Sequence, residues 1–400
     1  MTELCREFGI SRTTGYTWLE RYENGGAPQV VEKSRRPLHS PRRTPAEIEA
    51  AIVELRRQWP DWGAPKLAHL FQQQHPERAP VCIRTVHRIR GRHGLIEPHS
   101  LQGRATERFE RSAPNELWQM DFKGPQGFNR ATAVGPLSIL DDHSRYLLAL
   151  QHLGSTRMSG VKSTLEATFD RAGVPEQMLV DHGIPWWNAA NAVGLSELSV
   201  WMMRQGVRLW FSGIRHPQTQ GKVERMHGAL QRAIRRRKQD PEQQPWLDAF
   251  RHEYNHVRPH AGIGMATPAS RWQPSARSFH RDPREWEYDR HKTVVRLAGQ
   301  GQLWWSGRRY EISRALRGQL VGLELLGERA LVYFCRTPLR ELDLRTGRSF
   351  PIPIDVAGFY SSVQGKGPQP PAPFPALYPR SSAPQCQGCL VIDCPVCSGT

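Results

Sequence analysis

The sequence has no run of about 18 apolar residues, the length a bilayer-spanning helix needs. Its start, Met1-Thr-Glu-Leu-Cys-Arg-Glu, lacks the apolar core of a secretory leader. Cysteine is scarce at seven in 400 residues, so a disulfide framework cannot hold a body of this size. These absences argue against a membrane partner and against a disulfide-built secreted module, and the expected location is cytoplasmic. Acids are scarce too: 38 Asp and Glu face 55 Lys and Arg, for a net charge of +17 and a pI near 10.1. So basic a chain is expected to meet a polyanion, nucleic acid first. An ordinary surface rich in bases is the plainer alternative.

What is present divides into several segments, as the length demands. Residues 1–22 read as two short helices. Leu4, Cys5 and Phe8 form one apolar face, Gly9 breaks the chain, Ser11 caps the second helix, and Trp18, Leu19 and Tyr22 extend a buried stripe. This is a helix-turn-helix pattern that lacks its usual preceding helix, so the start reads as truncated. Arg12, Thr13 and Tyr16 on its second helix suit contacts to phosphates and base edges. Residues 23–44 form a basic linker rich in Pro and Arg. Residues 45–98 read as a second helix-turn-helix, with Arg84, His87, Arg88 and Arg90 exposed on its last helix. Residues 112–275 mix strands and helices as an α/β layer does. Residues 284–350 hold short strands between Gly-rich turns and predict a small β-barrel. Residues 360–400 are a Pro-rich tail, expected to be disordered, ending in a Cys cluster.

Three acids stand in the mixed segment at positions that suit hard cations. Asp121 lies in Trp118-Gln-Met-Asp121-Phe-Lys, at the end of a short strand. Asp181 ends another, Leu179-Val-Asp181-His-Gly. Glu224 opens a basic helix in His216-Pro-Gln-Thr-Gln-Gly-Lys-Val-Glu224-Arg-Met-His. Any one such acid is more often a turn or cap residue. Asp141 and Asp142, before a predicted turn, read as decoys of that kind.

Those phrases, with Leu140-Asp-Asp-His-Ser-Arg145 and Tyr254-Asn-His-Val-Arg-Pro-His260, resemble the DDE transposases and retroviral-type integrases, especially the bacterial insertion-sequence transposases. The resemblance implies a ribonuclease-H-like α/β catalytic core behind N-terminal all-α helix-turn-helix domains. It implies that Asp121, Asp181 and Glu224 are catalytic ligands of two Mg²⁺ (or Mn²⁺) ions, which cut and join phosphodiesters. Double-stranded DNA, as element ends and target, is then the partner, and holding two ends requires a homodimer or higher oligomer. This sequence departs from the pattern in three places. The gap between Asp181 and Glu224 is long, with the excess expected as a loop over Trp186–Leu198. His182 stands where many relatives have Asn. Gln231 stands where many carry a base, a role Arg232 or Arg235 could take.

Lys222, Arg225, Arg232, Arg235, Arg236, Arg237 and Lys238 crowd the helix that carries Glu224. So many cations with few acids between them favour a DNA contact over a solvated face. Trp186 and Trp187 could stack on an unpaired base, although a buried aromatic pair is the simpler reading. Cys386, Cys389, Cys394 and Cys397 form two CxxC pairs, a candidate Zn²⁺ site lying outside the family pattern. Two rivals to the transposase stay open: a catalytically inactive DNA-binding descendant, and a structure-specific nuclease built on the same core.

Overall fold

The computed structural model describes residues 1–30, 43–96, 110–124, 134–191, 193–212, 220–236 and 244–354. The Arg-rich linker over 31–42, Arg237 and Lys238, the Pro-rich tail and all four Cys residues of the candidate Zn²⁺ site lie outside them. Two compact units are present, Met1–Glu54 and Leu55–Thr400. No described helix is long and apolar enough to cross a membrane.

In the first unit, α1 (Thr2–Glu7) and α2 (Arg12–Glu23) are joined at Gly9, which takes a positive φ. Ser11 caps α2 by accepting from the Thr14 N–H. The helices cross where Cys5 meets Gly15, since a Cβ on Gly15 would come within 2.5 Å of the Cys5 sulfur. The expected buried stripe is not formed. Leu4, Phe8, Trp18, Leu19 and Tyr22 are exposed, and within α1 and α2 Cys5 and Gly15 alone are buried, because two short helices give little surface to pack against.

After α3 (Ala46–Gln58), α4 (Ala64–Gln74) and α5 (Ile83–Arg92) of the second unit pack through Leu67, Phe71, Val86 and Ile89, all fully or nearly fully buried. Arg90 departs from expectation: it is buried and donates to the Leu95 carbonyl, at 3.4 Å.

A five-stranded sheet follows, in the order β3-β2-β1-β4-β5. Its strands are β1 (Trp118–Phe122), β2 (Leu137–Asp141), β3 (Leu147–Gln151), β4 (Gln177–Val180) and β5 (Arg208–Phe211). The first three are antiparallel neighbours, and β1, β4 and β5 run parallel. This is a ribonuclease-H-like arrangement. One face of the sheet, with Trp118, Met120, Met178 and Val180, packs on α6 (Met158–Ala172) and α7 (Glu197–Arg204). The other face meets α8 (Gly221–Arg236) and α9 (Gln244–His256) through Leu140, Leu147, Val223, Met226, Leu230 and Phe250. Asn255 on α9 completes the edge of β3, accepting from the Leu147 N–H and donating to the Leu147 carbonyl.

The segment expected as a surplus loop is packed instead. Trp186, Leu195 and Leu198 are buried in the main core, and Trp187 bridges to Leu195. Gly194 lies flat on the Trp187 indole, where a Cβ would come within 2.0 Å of the ring.

Beyond the core, β6 (Thr293–Arg296), β9 (Leu320–Leu326), β10 (Arg329–Phe334), β11 (Thr337–Asp343) and β12 (Ser349–Pro351) form one antiparallel sheet in the order β12-β11-β10-β9-β6. The hairpin β7 (Gln302–Trp305) and β8 (Arg308–Glu311) stands as a separate two-stranded sheet. The expected barrel is therefore not closed among the described residues, since the edge strands β6 and β12 do not pair with each other. Gly322 sits under the Tyr288 ring, whose hydroxyl donates to the Leu320 carbonyl.

Candidate active site

Residue alternation along β1 sends Trp118 and Met120 into the α6 side, and so turns Gln119 and Asp121 toward α8. The parallel register pairs Trp118 with Met178 and Gln119 with Leu179. Two places further on, Asp121 falls beside Asp181, just past the end of β4. Both acids therefore lie at the C-terminal ends of neighbouring parallel strands, where open α/β sheets bind ligands.

Each carboxyl has its own surroundings. Asp181 is tied down through one oxygen: its Oδ1 accepts from the Gly183 N–H at 2.9 Å and from the Trp186 indole N–H at 2.7 Å. Trp186 is 1% exposed and stacks on Phe122, the neighbour of Asp121, with ring centroids 5.6 Å apart. One indole thus joins the two strand ends, which settles the sequence ambiguity for Trp186 in favour of burial. Trp187 packs on His182 and Phe211. Burial lifts the Asp121 carboxyl to about 7, and the nearby Asp181 and Glu224 charges add to the rise. Glu224, in the first turn of α8, is on the solvent side of the helix, yet partial burial raises its carboxyl too.

His227 follows Glu224 by three residues and is turned toward the sheet. Its Nε2 is 2.9 Å from the Ser138 hydroxyl on β2, and its Nδ1 is 3.9 Å from Asp121. Burial holds this imidazole down to about 3, so it is neutral. Among the described residues no three His, Cys, Asp or Glu side chains converge closely enough to hold a metal ion as they stand. The donor chemistry nonetheless fits a hard divalent cation, because Asp121 and Asp181 lie at the ends of adjacent strands and the Glu224 charge acts on Asp121.

The decoy acids are far more than turn residues. Asp141 accepts from the Asn115 N–H at 2.7 Å and from both the N–H and hydroxyl of Ser144. Asp142 is fully buried and accepts from the Arg111 N–H and the Gln119 amide, each at 2.9 Å. It also pairs with Lys222. That amine is 14% exposed, and burial lowers it to about 8. Of the α8 cations expected to face DNA, Arg225, Arg232 and Arg235 are exposed and Lys222 is turned inward. Arg12, Thr13 and Tyr16 on α2 are exposed, as are Arg84 and Arg88 on α5.

Sequence reading missed His227, Gln119 and the role of Trp186. Periodicity could have found one of them, since Gln119 shares a strand face with Asp121, whereas His227 turns to the sheet and Glu224 to solvent.

Two family models match the chain: a homeodomain-like domain over residues 14–89 and an integrase core domain over residues 205–268. The second contains Glu224 and stops short of Asp121 and Asp181. Among solved structures, the HTLV-2 integrase catalytic core domain in complex with magnesium (trimeric form) aligns at 13% identity and TM-score 0.32, over 40% of this chain and 97% of that one. The simian T-cell lymphotropic virus intasome in complex with PP2A regulatory subunit B56 gamma aligns at 14% identity and TM-score 0.34, over 76% and 96%. The BIV integrase catalytic core domain aligns at 21% identity and TM-score 0.30, over 39% and 92%.

Proposed function

We propose that this DDE transposase/integrase-like chain is a transposase that cuts DNA and joins the freed end to a target, with Asp121, Asp181 and Glu224 as its metal ligands. The observation that carries the reading is the facing of Asp121 and Asp181 on neighbouring parallel strands, with Glu224 close enough to raise the Asp121 carboxyl. Two Mg²⁺ or Mn²⁺ ions, when bound, activate the attacking oxygen and stabilise the leaving one in an in-line phosphodiester displacement.

The chain's own groups prepare that chemistry. Asp181, held through Oδ1, presents Oδ2 as its free ligand atom. Neutral His227 fills the space between Asp121 and Ser138 without adding a cation that would compete for the carboxylate. Arg225, Arg232 and Arg235 line the solvent side of α8 and attract the phosphate backbone. Arg12, Thr13 and Tyr16, with Arg84 and Arg88, read the element ends from the two helical segments. The domain divisions drawn from sequence fit this division of labour, with the C-terminal sheet supporting DNA or subunit contacts. Two DNA ends must be held together, so the working form is a dimer or larger.

A second reading, a DNA-binding protein that has lost catalysis, is favoured by the open spacing of the three carboxyls. Strand transfer separates the two. Full-length protein is mixed with labelled duplex from the DNA flanking its gene, a target plasmid and Mg²⁺ or Mn²⁺, beside Glu224→Gln. The transposase reading expects joined product from wild type and a loss of at least about 100-fold in the variant. DNA binding without joining, across metal concentrations, selects the second reading.

A further inference from the structure

Asp142, Gln119 and Lys222 close a ring that the proposed reaction does not use. The Asp142 Oδ1 accepts from the Gln119 amide at 2.9 Å and pairs with the Lys222 amine. The Gln119 Oε1 in turn accepts from the Val223 N–H at 3.3 Å, a donor in the first turn of α8, where helix N–H groups look outside the helix for acceptors. Lys222 and Val223 are adjacent, so the ring grips the start of α8 by one side chain and one backbone amide. Asp142 and Gln119 are both fully buried. Gln119 precedes Asp121 by two residues on the same face of β1, and Lys222 precedes Glu224 by two on α8. The ring therefore connects the strand that carries one candidate ligand to the helix turn that carries another.

We infer that Asp142, Gln119 and Lys222 are positioning residues that fix Glu224 relative to Asp121, and that Lys222 is not a DNA contact. The inference rests on the metal-ligand reading of those two acids. A buried ion pair adds little net stability but specifies one arrangement of the groups around it. Partners one step removed from a metal commonly change its affinity 10-fold to 100-fold when lost.

The test is Mn²⁺ titration calorimetry on full-length protein without DNA, together with the salt dependence of DNA binding. Lys222→Met and Gln119→Met are each expected to weaken Mn²⁺ binding about 10-fold or more. Lys222→Met should leave the slope of log K against log salt unchanged, whereas Arg225→Met should reduce it by about one. Lys222→Met combined with Asp142→Asn removes the charge pair without stranding either ion, which guards against misfolding, and should show the same Mn²⁺ loss. If Lys222→Met keeps wild-type Mn²⁺ affinity and lowers the salt slope by one, Lys222 is a DNA contact and the ring does not position Glu224. The folded double variant with wild-type Mn²⁺ affinity overturns the inference equally. A wild type that binds no Mn²⁺ overturns the ligand reading beneath it, an outcome distinct from both.

Discussion

Two pairs of acids lie within one sheet and its turns, and their surroundings are opposite. Asp141 and Asp142 are surrounded by donors: backbone N–H groups of Asn115, Ser144 and Arg111, the Gln119 amide and the Lys222 amine. Asp121 and Asp181 face each other; Asp181 takes two N–H donors on one oxygen only, and among the described residues no cation pairs with either carboxyl, the neutral His227 lying 3.9 Å from Asp121. The first pair is built to be satisfied by the protein, and the second leaves negative charge to be satisfied by something else. A buried carboxylate is thus informative through its partners rather than its burial. The two acids of Leu140-Asp-Asp-His-Ser-Arg145 are held by the protein's own donors.

The comparison is broken most severely by removing a satisfied acid. Asp142→Ala removes the carboxylate paired with the buried Lys222 amine and takes acceptors from Arg111 and Gln119. We expect a loss of about 3–5 kcal/mol, read as a lower urea midpoint. A loss under about 1 kcal/mol would mean that water replaces Asp142 and the contrast is false. The unsatisfied acids should respond to the opposite treatment. Free Mn²⁺ at about 100 times its dissociation constant should stabilise wild type by about 2.7 kcal/mol, and EDTA should reverse the gain. The same addition to Glu224→Gln should give a much smaller shift in melting temperature.

Much of this was legible beforehand because the information was local. Strand ends at Asp121 and Asp181, the Ser11 cap and the helix around Glu224 all follow from short-range pattern. What failed was long-range. Asp142 does lie in the turn, but its partner Lys222 is distant in sequence, so the ion pair between them is invisible to local pattern. Trp18 and Leu19 have the periodicity of a buried stripe, but periodicity does not supply a surface to bury them. No local pattern marks β11, since Arg340, Glu341 and Asp343 interrupt the apolar alternation that identifies a strand. Barrel closure depends on pairing between the first and last strands, which no local pattern encodes.

Trp186→Phe probes the link between the two strand ends. The phenyl ring can keep the stack on Phe122, but Asp181 loses one of the two donors on Oδ1. We expect about 2 kcal/mol of destabilisation from the lost charge-assisted bond and the smaller ring. Strand transfer should need more metal, because the carboxylate is freer to rotate. Unchanged metal dependence at that loss of stability would mean that Gly183 alone orients Asp181.

The smallest effect has the most telling sign. Asp121→Asn exchanges a charge beside Asp181 for a neutral amide of the same shape. In the metal-free protein this removes the cost of burying a charge and the repulsion from Asp181 and Glu224, the causes that raise the Asp121 carboxyl. Stability in EDTA should therefore rise by about 1 kcal/mol while strand transfer disappears. Asparagine at Asp142 cannot do the same, since every donor there points at a charge. A melt in EDTA at neutral pH decides the matter. If Asp121→Asn is instead less stable than wild type, Asp121 is held by donors of its own, and the distinction between satisfied and waiting acids collapses.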